Sequence, residues 1–358
     1  MPNDRTHRHA PHAPSVFRRV ARRATAGGSP VGSATAADGL DPSNPDLWGI
    51  WTGVQRTVLA TGTRVSTACL HHGGSVSLTV GIEVGSRHED ASEAGACHLL
   101  EHMVFRGSDR WPTSFDLTSS IEAAGGTLDG YTHREATVFH ARLPRSSMAH
   151  ALDVIFDMVR RPQLRSTDFG TERDVVLEEV RQDADAAAVV AEEALDALIW
   201  PGHALNRSPG GTEETVGAME VDSITRLWEW AYVPSRIIVT VAGDVDHAEV
   251  VDLVSTHVDG WAAGGGAPTA EAVPEAPASA QLESRWGEGQ TTYVYAGVRG
   301  VSSCDPDRPA LELLSCAVGE LASSRLWADL RDARGLAYDV GSEVVTYTDT
   351  GSMLMWAG

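Results

Sequence analysis

Within the stretch CHLLEHMVFRGS, residues 97–108, two histidines and a glutamate fall inside five positions: His98, Glu101 and His102. Imidazole is a ligand for zinc, and a carboxylate can take a proton from water. On a helix of about 3.6 residues per turn, positions i, i+3 and i+4 share one face. His98 and His102 then point the same way one turn apart, with Glu101 beside both. That spacing can chelate one divalent ion and set a carboxylate next to its open coordination position. An amphipathic helix that merely happens to carry two histidines would show the same pattern, so a third ligand must be found.

The segment TERDVVLEEVRQD, residues 171–183, supplies candidates. Glu172 and Glu179 are seven residues apart, about two helical turns, and lie on nearly the same face. Glu178 points about 100° away from Glu179 and reads as an exposed acid. A helix presenting Glu179 inward would complete a His, His, Glu set and leave one coordination position open, which is the catalytic rather than the structural arrangement of zinc. Glu172 could hold an imidazole N–H from behind. Taken alone, the segment is described equally well as a surface helix with scattered acids.

The elements that must position these residues can be read from patterning. RTVLATGTRVSTACL and SVSLTVGIEVGS, within residues 56–87, are rich in Val, Thr and Leu, and the HHGG between them predicts a hairpin turn. Helix signals run from about 91 to 106, and SFDLTSSIEAAGG predicts a further helix ended by glycines. TLDGYTHREATVFHARL alternates as two strands around a polar turn, MAHALDVIFDMVRRP is a helix stopped by Pro162, and residues 168–198 hold one or two acidic, alanine-rich helices. RIIVTVAGDV reads as a buried strand closing a first domain, residues 45–258. Residues 259–283 have the Ala/Pro/Gly composition of a linker. Beyond it, within 284–358, come a strand (TTYVYAGV), two helices (PALELLSCAVG and SSRLWADLRDARG) and a hairpin (EVVTYTDTGSMLMWAG).

Charge and composition narrow the function classes. Residues 1–40 hold six arginines against Asp4 and Asp38, a net +4, so the rest carries −25 to reach the total of −21. A body that acidic repels nucleic acid and attracts cationic peptides, although a charged surface also serves solubility alone. All 28 basic residues are arginine, which fits a GC-rich bacterial coding bias. The four cysteines, Cys69, Cys97, Cys304 and Cys316, form neither a disulfide framework nor the paired spacing of a structural zinc site, and favour a reducing compartment. No apolar run reaches membrane-spanning length. Residues 1–44 read as a disordered basic tail; the alternative for SVFRRVARRAT is a mitochondrial transit peptide. His71, His72, His133, His140 and His203 have no partner spacing and read as turn or core histidines, and Cys97 as a core thiol.

The motifs extend well beyond the helix. GSRHEDASEAGACHLLEHMVFRGS, AAGGTLDGYTHREATVFHARL, ERDVVLEEV, SPGGTEETV, YVPSRIIVTVAGDVDH and SSRLWADLRDARGLAYDVGS follow in order. Together they closely resemble the M16 (pitrilysin-like) zinc peptidases, whose motif is H-x-x-E-H, and in particular the M16B branch of mitochondrial and bacterial processing peptidases. The resemblance covers essentially residues 50–358. It implies an α+β fold of two related, ferredoxin-like M16 domains, with mixed sheets covered by helices and the second domain partial in this chain. It implies one Zn2+ per chain on His98, His102 and Glu179, Glu101 as general base and Glu172 as the acid behind a ligand. Arg334 and Tyr338, in RGLAY, match a pair that contacts the substrate backbone from the second domain. Gly126, Thr127, Leu128 and Asp129 match the strand on which the substrate lies, except that Asp129-Gly130 stands where the family usually has Asn-Ala.

The implied activity is that of a zinc metalloendopeptidase acting on extended peptides, Arg-containing ones among them, as a homodimer or with a partner M16 subunit, and without nucleic acid or membrane as partner. The implied place is the bacterial cytoplasm, with the mitochondrial matrix and presequence cleavage as the alternative; a non-catalytic M16 subunit is the other. The last apolar strand, MLMWA, is expected to lie at a sheet edge needing cover from further chain or a partner. The acidic body carries a prediction of its own. Cleavage of Arg-containing peptides slows as salt rises, mainly through KM, with effects of about 1 kcal/mol for partly screened contacts. Equal rates for neutral and basic peptides across salt would assign the charge to solubility.

Overall fold

The computed structural model describes residues 53–70, 74–266, 268–287 and 289–358. The basic tail (1–44), His71 and His72 lie outside the described residues. Six strands form the larger sheet: β1 (Val54–Val58), β2 (Arg64–Cys69), β3 (Ser75–Ile82), β4 (Thr127–Thr132), β5 (Thr137–Pro144) and β6 (Ile237–Gly243). Their spatial order is β1-β2-β6-β3-β5-β4, and only the β2–β6 pair is parallel. Alternation decides which face is covered. Val76, Leu78, Val80 and Ile82 of β3, Phe139, Ala141 and Leu143 of β5, and Ile237, Val239 and Val241 of β6 are all buried on one side.

Helices supply the other wall of that core. Leu99, Leu100, Met103 and Val104 come from α1 (Ala96–Val104), and Leu117 and Ile121 from α2 (Ser114–Ala123). Leu152, Ile155, Phe156 and Val159 come from α3 (Met148–Arg160). Each such side chain taken from water contributes about 1.5–3 kcal/mol. Helices α4 (Ser166–Asp185), α5 (Ala187–Ile199), α6 (Glu213–Ala218), α7 (Val221–Ala231) and α8 (His247–Val258) follow, and Val176, Ile224, Val250 and Val254 join the same core.

Two local expectations are corrected. Residues 56–87 are not one hairpin: β2 and β3 are separated by β6, whose buried valines and isoleucine compete for the middle of the sheet and win it. The hairpin is instead β1–β2, closed by residues 59–63, where Leu59 N–H donates to Thr63 O at 2.9 Å. The helix expected from 91 begins at Ala96. Residues Ala91–Glu93 make a 3-10 turn, and Gly95 holds a left-handed φ of 95° that α-helix cannot continue through.

After α8, the described residues between 259 and 293 contain no helix or strand. The second sheet comprises β7 (Val294–Gly300), β8 (Val340–Thr346) and β9 (Gly351–Ala357), antiparallel in the order β7-β9-β8. Helix α9 (Arg308–Ser315) and two π-helical turns lie between β7 and β8. The sequence expectation of an edge strand at MLMWA is therefore overturned. The chain leaves β7, returns as β8 on the far side, and the turn at 347–350 folds β9 between the two, so β9 is paired on both sides. The expected α+β class of mixed sheets covered by helices holds. No helix among the described residues is long and apolar enough to cross a membrane.

The two sheets share a junction. Leu195, Ile199 and Trp200, at the end of α5, pack with Tyr347 and Leu354 of the second sheet. The Arg299 guanidinium lies 3.8 Å over the Trp200 ring. Arg87, whose side chain is fully buried, donates to Glu135 Oε1 (2.6 Å) in the β4–β5 turn and to both Asp349 oxygens (2.9 and 3.0 Å) in the β8–β9 turn. Thr348 N and Oγ1 also donate to Glu135. Removing one partner of a buried pair costs about 3–5 kcal/mol, less where the other partner keeps water. Arg87→Ala is therefore expected to lower unfolding free energy by about 2 kcal/mol. Urea titration checks it; a change below about 0.5 kcal/mol would show that the junction bears no load.

Candidate metal centre

Helix α1 divides cleanly. Cys97, Leu99, Leu100, Met103 and Val104 face the core and fix its rotation, which aims His98, Glu101 and His102 at α4 and β4. Its first turn is tied down by Glu89, whose carboxylate accepts from Gly95 N (3.0 Å) and Cys97 N (2.7 Å). The Cys97 thiol is buried beside that carboxylate, and burial pushes its pKa well up, consistent with the core thiol expected.

Three ligand atoms converge. His98 Nε2 lies 3.7 Å and His102 Nε2 3.6 Å from Glu179 Oε2, and the three groups stand within 4.8 Å of one another. Those separations are too long for hydrogen bonds. They match the spacing of atoms that share a tetrahedral ion, since ligands at about 2.0–2.2 Å lie about 3.3–3.5 Å apart. The donor set, two imidazoles and one carboxylate with a position left over, fits zinc. Glu178, one residue away, is 68 % exposed and faces Arg181 at 3.8 Å, away from the cluster.

Partners behind the ligands orient them. Glu172 Oε2 takes the hydrogen bond of His102 Nδ1 at 3.0 Å, which leaves Nε2 for the cluster. Arg106, one turn beyond His102, pairs with Glu172 Oε1 at 3.2 Å and lies 3.8 Å from Asp168. Sequence reading missed Arg106; its i+4 spacing from His102 was the available signal. Burial, helped by the neighbouring His102, drops the His98 pKa to about 3, so this imidazole is neutral. Burial also acts to lower His102, but the Glu172 hydrogen bond and the charges of Glu179 and Glu101 outweigh it and leave its pKa raised. His98 Nδ1 is buried with no hydrogen-bond partner among the described residues.

Glu101 is 7 % exposed, and burial raises its pKa to about 7 against the hydrogen bond from Thr132. Thr132 sits on β4, an edge strand whose outer side is unpaired among the described residues. Thr127 and Asp129 of that strand are exposed, Leu128 packs on the core, and Gly126 lies in the turn before it, donating to Ile121 O. At Gly130 the strand backbone comes close to α1 and the Phe105 that follows it. A Cβ there would lie 2.9 Å from the Phe105 ring and 3.1 Å from Glu101 Oε1.

Arg334 and Tyr338 make local contacts of their own. Arg334 faces Asp329 at 3.4 Å, and the Arg331 guanidinium lies 4.5 Å over the Tyr338 ring, which is 76 % exposed. Among the described residues, no hydrogen bond, ion pair or ring contact joins either to the His/His/Glu group. His203, expected as a core histidine, is buried and accepts from Leu205 N.

Fold and site together define an α+β protein with, among the described residues, one candidate zinc centre. Comparison with known proteins agrees. The family described as "Insulinase (Peptidase family M16)" matches residues 64–213, and "Peptidase M16 inactive domain" matches residues 218–355. An uncharacterized zinc protease of Mycobacterium leprae is 35% identical over 307 residues, covering 85% of this chain and 69% of that protein. The mitochondrial-processing peptidase subunit beta of Lentinula edodes is 28% identical over 309 residues, covering 82% and 66%. Among solved structures, a protease from Helicobacter pylori superposes with a TM-score of 0.76 at 22% identity, covering 85% of this chain and 74% of that one. This chain belongs to the M16 peptidase family.

The geometry predicts metal content residue by residue. One zinc per chain should survive dialysis of the wild-type protein, while His102→Ala and Glu179→Ala lose it and Glu178→Ala keeps it, as read by atomic emission. A Glu178→Ala protein without zinc beside a Glu179→Ala protein with it would move the ligand by one residue.

Proposed function

We propose that this protein is a zinc metalloendopeptidase in which His98, His102 and Glu179 hold the metal and Glu101 is the general base. The observation that carries the reading is the convergence of His98 Nε2, His102 Nε2 and Glu179 Oε2 beside a buried Glu101. Zinc, when bound, supplies a Lewis acid that polarises the scissile carbonyl and acidifies water. The chain's own residues do the rest. Glu101 takes a proton from the attacking water and delivers it to the leaving amine. Glu172, braced by Arg106, keeps His102 in the tautomer whose Nε2 is free.

The free edge of β4 gives an extended peptide a strand to pair with, through main-chain hydrogen bonds that suit many sequences. Gly126, Thr127, Leu128 and Asp129 border that edge, and Gly130 brings the backbone within reach of Glu101. An acidic edge residue and an acidic body favour Arg-containing peptides. Arg334 and Tyr338 take a backbone-gripping role on this reading. A homodimer or a paired M16 subunit is the matching assembly, and the bacterial relatives favour a bacterial enzyme.

Glu101→Gln tests the chemistry separately from the metal. It should retain one zinc per chain and lower kcat by about 10²–10⁴-fold, because only the proton shuttle is removed. A chelator should abolish wild-type cleavage of an unstructured peptide and added zinc should restore it. Full activity of Glu101→Gln, or cleavage indifferent to chelation, would refute the assignment.

A further inference from the structure

Among the described residues the buried Glu101 has one hydrogen-bond donor, and it comes from the edge strand. Thr132 Oγ1 lies 2.6 Å from Glu101 Oε2, well within the range for a hydroxyl donating to a carboxylate. The same oxygen is 3.5 Å from Cys97 O, the poorer acceptor of the two. Strand alternation explains why this contact exists. Gly130 and Thr132, two apart on β4, face α1 together. Thr132 therefore holds one carboxylate oxygen, while the other, Oε1, lies over Gly130, where a Cβ would come within 3.1 Å of it. The carboxylate is bracketed by a hydroxyl on one side and a bare backbone on the other.

Thr132 is itself anchored. Its Cα partner across the ladder is Thr137, whose hydroxyl donates to Val84 O at 3.0 Å. The turn that follows is tied down by Ser86 N to His133 O (3.1 Å) and Arg87 N to Arg134 O (2.8 Å). Through Glu135 and Arg87 the same turn is fixed to Asp349 in the second sheet. A donor on so constrained a strand end can define a carboxylate's orientation, whereas one on a loose loop could not.

We propose that Thr132 is a positioning residue for Glu101: its hydroxyl fixes the carboxylate so that Oε1 is the oxygen presented to the reacting water. This rests on the peptidase reading above. Loss of the donor leaves Glu101 buried with its orientation undefined, and a displacement of about 1 Å in a reacting group can cost about 10²-fold in rate.

The test uses zinc-loaded full-length protein and two substitutions. Thr132→Val keeps size and β-branching but removes the donor; Thr132→Ser keeps the donor. Thr132→Val should lower kcat about 10–100-fold with KM within about twofold and zinc content unchanged, and Thr132→Ser should recover most of kcat. Crystal structures of the same zinc-loaded proteins give a readout that needs no turnover: Glu101 leaves its place in Thr132→Val and keeps it in Thr132→Ser. An unmoved Glu101 in Thr132→Val, or equal losses in both variants, overturns the proposal. A wild-type protein that binds zinc and holds Glu101 on Thr132, yet cleaves no peptide, defeats the peptidase reading alone and leaves the positioning contact standing.

Discussion

Charge balance in one pocket governs the rest of the molecule. The buried Glu101 and Glu172 and the partly exposed Glu179 are drawn around His98 and His102, and like charges so placed repel. Arg106 faces Glu172 and Asp168 and leaves Glu101 and Glu179 without an arginine partner among the described residues. Glu101, whose pKa burial raises to about 7, and Glu179 then face two imidazoles, His98 held neutral by burial and His102 with its pKa raised by the acids around it. A divalent cation would add positive charge among these acids, and the open spacing of the three candidate ligand atoms would give it room. Such a pocket is stable only if each wall is fixed independently of the metal. The apolar face of α1, the Glu89 cap and the packing of Val176 on α4 provide that fixing.

The same constraint reaches the second sheet. On the proposed reading, strand β4 must stay an edge to receive a peptide, yet it must also hold Thr132 against Glu101. An edge strand has neighbours on one side only and is intrinsically softer than an interior one. The structure offsets this at the strand's end, where Arg87, Glu135, Thr348 and Asp349 bind the following turn to the β8–β9 turn. The second sheet thus braces the first beside its site, with α5 and Trp200 filling the space between them. This gives a physical reason for the second sheet to accompany the half that carries the candidate metal centre.

Much of the site was legible because helical spacing is a local rule. His98, Glu101 and His102 needed only the 3.6-residue period, and the exposure of Glu178 beside an inward Glu179 followed from the 100° step between them. Choosing α4 among several acidic helices required a resemblance, since nothing local tells an inward acid from a surface one. Strand pairing was less readable. The β2–β3 hairpin failed because β6, some 170 residues later, takes the place between them, and the edge expected at β9 failed because β8 returns on its far side. Both are non-local pairings that alternation does not encode. Thr132 was missed for the same reason: its contact with Glu101 crosses from strand to helix, and only Gly130 hinted that the two backbones come close.

The most direct measurement is anomalous diffraction at the zinc edge on crystals of the purified protein. One peak per chain is expected about 2.0–2.2 Å from His98 Nε2, His102 Nε2 and Glu179 Oε2, with Glu172 behind His102 and outside bonding distance. A peak bound by Glu178 or Cys97, or no peak at this pocket in a protein that still cleaves peptides, would contradict the assignment of the site.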